Sequence, residues 1–157
     1  MKIVIYLHCL TFGGTERMAT HLANHFSDAG CEVTVLCNID PGYVSYPLRN
    51  AVNNVVLGLV GKRSSNLLAG LKKTYRRIEA VRREVKRIKP DYLISMAPSA
   101  NITAAISCFG LNLVVVGREQ SYPAAEPPRK KKWTKFRKLT YRWLDTCLLY
   151  TSDAADE

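Results

Sequence analysis

The sequence predicts an α/β fold, a doubly wound parallel sheet of Rossmann-like topology, from three observations. Short uncharged runs rich in Val, Ile and Leu alternate with segments of helical periodicity from Met1 to Gly117. The runs are apolar at consecutive positions, as parallel strands covered on both faces require. A glycine pair, Gly13-Gly14, separates the first run from the first helical segment, where such sheets turn from strand into helix.

The elements follow in order. Ile3, Val4, Ile5 and Leu7 form the first strand. Gly13 and Gly14 let the backbone turn through conformations closed to larger residues and let a ligand approach the main chain. The helix behind them presents unpaired N–H groups and a positive dipole end, which suits a phosphate; a purely structural turn is the alternative. Met18, Leu22 and Phe26, beside Ala19 and Ala23, give that helix its apolar stripe, with Thr15 as N-cap, Glu16 in the first turn and Gly30 just past the end. Glu32–Asn38 is the second strand, Ile39–Asn54 a loop with an Asp40-Pro41-Gly42 turn, and Val55–Val60 the third strand. Ser64, Ser65 and Asn66 offer caps for a long helix carrying Leu67, Leu68, Leu71, Tyr75, Ile78, Val81, Val85 and Ile88, ended by Pro90. Asp91–Met96, the helix Ala100–Phe109 and Asn112–Gly117 complete the pattern. Right-handed crossovers then predict strand order 3-2-1-4-5, with ligand at the carboxyl ends of the strands.

Composition excludes several classes. A chain of 157 residues that is 47% hydrophobic is one globular domain or part of a larger protein. Ile3–Leu10 is short for a signal peptide and leads into a Thr-Phe-Gly-Gly turn. No apolar run approaches the roughly 20 residues of a membrane helix. The five cysteines are odd in number, scattered and without a C-x-x-C pair, so they read as reduced core thiols of a cytoplasmic protein, not as metal ligands. His8, His21 and His25 do not cluster, and the His21/His25 pair lacks a third ligand. The glycine pair is not the G-x-G-x-x-G fingerprint, and no acidic residue closes strand two, Asp40 following only in a turn, so NAD binding is unsupported.

The net charge of +10 sits in two segments: eleven basic residues in Lys62–Lys89, and eight in Arg129–Arg142 with no acid among them. Beyond Glu119 comes the proline-bearing stretch Gln120–Pro128 and then a basic helical pattern, Arg129–Asp145, with Trp133, Phe136, Leu139, Thr140 and Trp143 at three- and four-residue steps. Solvated helix faces account for much of Lys62–Lys89. A nucleic-acid module would need interleaved aromatics or a known pattern, which the strands lack. An anionic membrane surface fits Arg129–Trp143, where Lys130, Lys131, Lys132 and Arg137 accompany Trp133 and Trp143. The last eleven residues, CLLYTSDAADE, carry no base. Read back into codons they correspond to one frame of a transposon-derived sequencing adapter, so 147–157 is expected to be a non-native tail and the natural part to carry +13.

The segments GGTERMATHLANHFSDAGCEVTVLC, KPDYLISM and VVVGREQSYP together resemble the N-terminal domain of the retaining glycosyltransferases of family 4, which have the GT-B fold. The resemblance covers essentially Met1–Asp145. It implies that residues 1–146 are the acceptor-side half, and that a C-terminal donor-binding domain is missing. In such enzymes the glycine loop faces the donor diphosphate, and helix termini and basic side chains stabilise the leaving phosphate without a bound metal. The implied reaction transfers a hexose or N-acetylhexosamine from a nucleotide-sugar, as co-substrate, to a cell-surface glycan or lipid-linked acceptor at the inner face of the plasma membrane. By position, Gly13, Gly14 and Thr15 match the glycine loop, and Ser99 and Asn101 the acceptor side, where both also read as helix caps. Arg118 and Glu119 match the catalytic edge at strand five, where Glu119 could equally pair with Arg118 in a salt bridge. Gln120 stands where many relatives place a histidine that contacts the reacting sugar; its amide can hydrogen-bond but not titrate. The competing reading is a non-enzymatic Rossmann-like module for nucleotides or nucleic acid.

Overall fold

The computed structural model describes residues 1–40, 42, 45–59 and 67–118. They form β1 (Lys2–Leu7), α1 (Gly14–Asp28), β2 (Glu32–Cys37), β3 (Asn53–Val56), α2 (Leu67–Ile88), β4 (Tyr92–Met96), α3 (Pro98–Cys108) and β5 (Val114–Arg118). The five strands make one sheet in the order β3-β2-β1-β4-β5, the order expected from the sequence. Every pairing is parallel; Ile5 of β1 lies between Val35 of β2 and Ile94 of β4.

Two apolar layers explain why the strands read as continuous hydrophobic runs. Ile3, Ile5 and Leu7, with Val33, Val35 and Cys37, pack on Ala19 and Ala23 of α1. Val4, Tyr6, Leu36 and Leu93 pack on Val81 and Val85 of α2 and on Ala100, Ala104 and Cys108 of α3. Side chains alternate between faces along a strand, so a helix on each face demands apolar residues at every position. Each fully buried aliphatic side chain contributes about 1.5–3 kcal/mol.

The structure moves several boundaries. Gly13, not Thr15, is the N-cap of α1, and Thr15 lies within the first turn. Of the expected stripe, the small residues Ala19 and Ala23 are fully buried, Leu22 and Phe26 are partly buried and Met18 is exposed. Methyl-sized side chains let the helix axis approach the sheet, so the larger residues splay to the flanks. β3 is shorter and starts earlier than Val55–Val60, while β5 begins at Val114 and runs through Arg118. α3 begins at Pro98, two residues before the expected Ala100, because proline suits a first helical turn that needs no N–H partner. Gly30 does adopt the left-handed conformation of a helix terminator, at φ 81°.

Burial pushes the thiols of Cys37 and Cys108 up to about 12. Because only the thiolate alkylates readily, both should resist iodoacetamide at pH 8 in the folded protein while the partly exposed Cys31 reacts. Mass spectrometry before and after denaturation checks this. Labelling of Cys37 at the rate of Cys31 would mean that the β1–β2 core opens freely.

Candidate functional site

The chain steps from β1 outward to β2 and β3, then returns to the other side of β1 with β4 and β5. The connections leaving β1 and β4 therefore diverge and open a crevice at the carboxyl edge, the position where open parallel sheets take ligands. Among the described residues, 8–13 after β1, Asn38 and Ile39 after β2, Ala97 after β4 and Arg118 at the end of β5 lie at this edge.

The glycine turn has two distinct halves. At Gly13 a β-carbon would collide with the Glu16 carboxylate, which folds back over it. Gly14, the first residue of α1, has no left-handed φ, and a β-carbon there would meet no atom of the described residues within 4 Å. The fold therefore does not require glycine at 14. What the missing side chain leaves is room beside the first turn of α1, next to the Glu16 carboxylate that folds over Gly13.

The β4 connection is held in an unusual shape. Ala97 has φ 89° and ψ 151°, a region that is costly for a residue bearing a β-carbon. Its N–H donates to the Arg118 carbonyl (3.3 Å), and its own carbonyl accepts from the Asn101 N–H (2.9 Å). Asn101 is only 2% exposed. Its Oδ1 accepts from the Ser95 hydroxyl at 2.7 Å, and its Nδ2 donates to the Arg118 carbonyl at 3.1 Å. Neither Ser99 nor Asn101 is the N-cap of α3, which is Ala97. Ser99 sits exposed in the first turn, its carbonyl accepting from Thr103, whereas Asn101 ties β4, α3 and β5 together from inside. Arg118 ends β5 half-buried, on a backbone fixed by these two bonds. Glu119, Gln120 and the segment containing Lys130, Lys131, Lys132, Trp133, Arg137 and Trp143 lie outside the described residues.

His8, which the sequence set aside as an unclustered histidine, sits on the same edge. Its carbonyl accepts from the N–H groups of Asn38 (3.0 Å) and Ile39 (3.2 Å). Its Nδ1 lies 3.4 Å from Asn38 Nδ2, and Asn38 Oδ1 accepts from the buried Tyr6 hydroxyl at 2.9 Å. Burial, then the charges of Arg77 and Lys73, lower the imidazole's pKa; Glu16 opposes them. The signal available beforehand was position: a histidine one residue past the first strand, five before the glycine pair.

The basic helix α2 divides into two parts. Arg82 donates to the carbonyls of Ser107 and Phe109, each at 2.8 Å, and Arg87 pairs with Glu84. In its first half, Leu68 (79% exposed), Leu71 (60%) and Tyr75 (65%) project outward with exposed Lys72 and Arg76 among them. Two clefts of about 340 and 350 Å³ lie at the amino ends of the strands, around Lys2 and Glu32 and around Asp91 and Leu113. That is the wrong edge for ligand in this topology.

These features define a Rossmann-like α/β domain whose candidate site lies at the carboxyl edge of its parallel sheet. The chain belongs to Glycosyltransferase Family 4, whose family model matches residues 12–157. It is 29% identical over 145 residues to the GalNAc-alpha-(1->4)-GalNAc-alpha-(1->3)-diNAcBac-PP-undecaprenol alpha-1,4-N-acetyl-D-galactosaminyltransferase of Campylobacter jejuni, covering 92% of this chain and 39% of that protein. In structure it is similar to sucrose-phosphate synthase from Thermosynechococcus elongatus, with TM-score 0.71 and 10% identity over 96% of this chain and 42% of the other. A lipopolysaccharide outer core galactosyltransferase matches with TM-score 0.59 and 16% identity, over 80% and 35%. UDP-GlcNAc 2-epimerase from Methanocaldococcus jannaschii also shares the fold, with TM-score 0.59 and 12% identity over 90% and 37%. The chain thus spans well under half the length of these relatives. The family model and the curated relative are both named as glycosyltransferases.

Replacing Ala97 with glycine should relieve the strained φ and stabilise the domain by about 1 kcal/mol, measured by urea denaturation. A loss of stability instead would mean that the alanine methyl makes packing worth more than the strain.

Proposed function

We propose that the protein carrying this chain transfers a hexose or N-acetylhexosamine from a nucleotide-sugar to a glycan or lipid-linked acceptor, with retention at the anomeric carbon. The observation that carries the reading is Gly14: a glycine the fold does not need, at the helix terminus beside the crevice, in a chain of this family. The first turn of α1 would receive donor phosphate, with Gly13, Gly14 and Thr15 supplying backbone at close range. Helix terminus and basic side chains would take up the leaving group's charge without a bound metal. Arg118 and Glu119 would act on the reacting centre, with Gln120 beside the reacting sugar, Ser99 on the acceptor side and Asn101 behind it. The Campylobacter relative, named for an undecaprenyl-diphosphate-linked acceptor, supports a lipid-linked substrate here.

The test is transfer by the whole enzyme with a panel of UDP- and GDP-sugars and polyprenyl-diphosphate acceptors, with product linkage read by NMR. Gly14→Val should lower turnover at least about tenfold, the weight of one charge-assisted contact, with the unfolding midpoint nearly unchanged. Wild-type turnover by that variant would reduce the loop to a structural turn. The 157-residue chain alone should not turn over, since orientation by a second wall supplies effective molarities of order 10⁵ M or more.

A lipid-linked acceptor calls for docking on the cytoplasmic leaflet. The outward face of α2, with Leu68, Leu71 and Tyr75 beside Lys72 and Arg76, suits an anionic surface, as does the composition of Arg129–Trp143. No helix among the described residues is long and apolar enough to cross a membrane. The chain should pellet with vesicles rich in anionic lipid, and high salt should release it. Since each basic residue near such a surface contributes about 1 kcal/mol, Lys72→Glu with Arg76→Glu should weaken binding at least about tenfold. Equal binding to neutral vesicles would defeat the electrostatic reading, and no binding to either would defeat membrane docking.

A further inference from the structure

We propose that His8 contacts substrate, presenting a fixed Nε2–H to an oxygen of a bound diphosphate at the carboxyl end of β1, with Asn38 and Tyr6 as its positioning residues. The proposal rests on the transferase reading and names a residue of that same site. Tyr6 is buried and donates its hydroxyl proton to Asn38 Oδ1, which fixes the orientation of the Asn38 amide. The Asn38 NH₂ group then faces His8 Nδ1. An amide NH₂ can only donate, so Nδ1 must accept, and a neutral imidazole carries its proton on Nε2. The histidine backbone is pinned as well, its carbonyl accepting two N–H groups from the end of β2. Leu7 before it is buried while His8 is exposed, so the ring is the first side chain past the carboxyl end of β1 able to meet a ligand.

The charged surroundings select the ligand. Arg77 and Lys73 act on the ring from α2, and Glu16 is the opposing charge from α1. Tyr6 and Asn38 are the neighbours from β1 and β2, and neither is charged at neutral pH. Among the described residues two cations and one carboxylate act on the ring, a balance that favours an anion, and the same cations, added to the ring's partial burial, favour the neutral imidazole. A neutral ring with its proton on Nε2 is a donor at that nitrogen, not a base. Donor nucleotide-sugar and lipid-linked acceptor both carry diphosphate oxygens, and they are the two sources to separate.

The experiment has two parts. The 157-residue chain is labelled with ¹⁵N-histidine and titrated with inorganic diphosphate. The free chain should show His8 as the Nε2–H tautomer, ionising below an ordinary histidine, and diphosphate should raise its midpoint by about half a unit or more, as a nearby anion does. His8→Gln, whose terminal amide keeps an N–H in reach, should bind diphosphate within about threefold of wild type; His8→Phe should lose about tenfold. An Nδ1–H tautomer, a ring indifferent to diphosphate, or wild-type binding by His8→Phe overturns the proposal. In the whole enzyme, a raised KM of His8→Phe for the nucleotide-sugar assigns the donor diphosphate, and one for the polyprenyl-diphosphate acceptor assigns the other. If His8 responds to diphosphate but the whole enzyme transfers no sugar, the transferase reading falls and the site stands. If transfer occurs while His8 is silent, the site falls alone.

Discussion

Between Ile3 and Leu7, β1 shows at most 2% of any side chain to solvent, and it has parallel hydrogen-bonded neighbours on both edges. A strand so enclosed can meet a ligand only beyond its ends. Parallel pairing puts all five carboxyl ends on one edge, and strand order divides the chain there on either side of β1. The position of the crevice, the helix terminus that opens onto it and the exposure of His8 all depend on this one buried strand.

The carboxyl edge is built from polar side chains that would be costly to bury unpaired. Tyr6, Asn38 and His8 form one bridge, between β1 and β2; Ser95, Asn101 and the Arg118 carbonyl form another, joining β4, α3 and β5. Both start inside the sheet and end at its carboxyl edge. Asn101 also holds the backbone that keeps Ala97 at positive φ, so the strain is maintained by bonds on both sides of it. In each case a satisfied polar network does for the site what apolar packing does for the core: it allows a single arrangement.

Charge on α2 is likewise divided by tertiary structure. Of its arginines, Arg82 closes the end of α3 through two carbonyls and Arg87 pairs with Glu84. Lys72 and Arg76 stay outward beside Leu68, Leu71 and Tyr75. One helical sequence thus contains both a structural half and a half whose apolar residues Leu68, Leu71 and Tyr75 stay exposed.

Consecutive apolar residues in Ile3–Leu7 and Val33–Cys37, the glycine turn and the terminators Gly30 and Pro90 by themselves determined a parallel α/β sheet and its strand order. Those signals are local, and right-handed crossovers leave few ways to assemble them. The resemblance carried by the glycine loop and the segments around β4 and β5 likewise indicated the family from sequence alone. Side-chain pairing between distant elements was not legible. Nothing local shows that Asn101 turns inward to Ser95 and Arg118, 17 residues away, or that Asn38 meets His8 across 30. Nor does periodicity reveal that α1 seats through Ala19 and Ala23 while Met18 is left outside, since all lie within one apolar stripe. Sequence determined which residues prefer to be buried and in what period. Tertiary structure decided which polar atoms meet, because those distances arise only when the crossovers bring separate strands side by side.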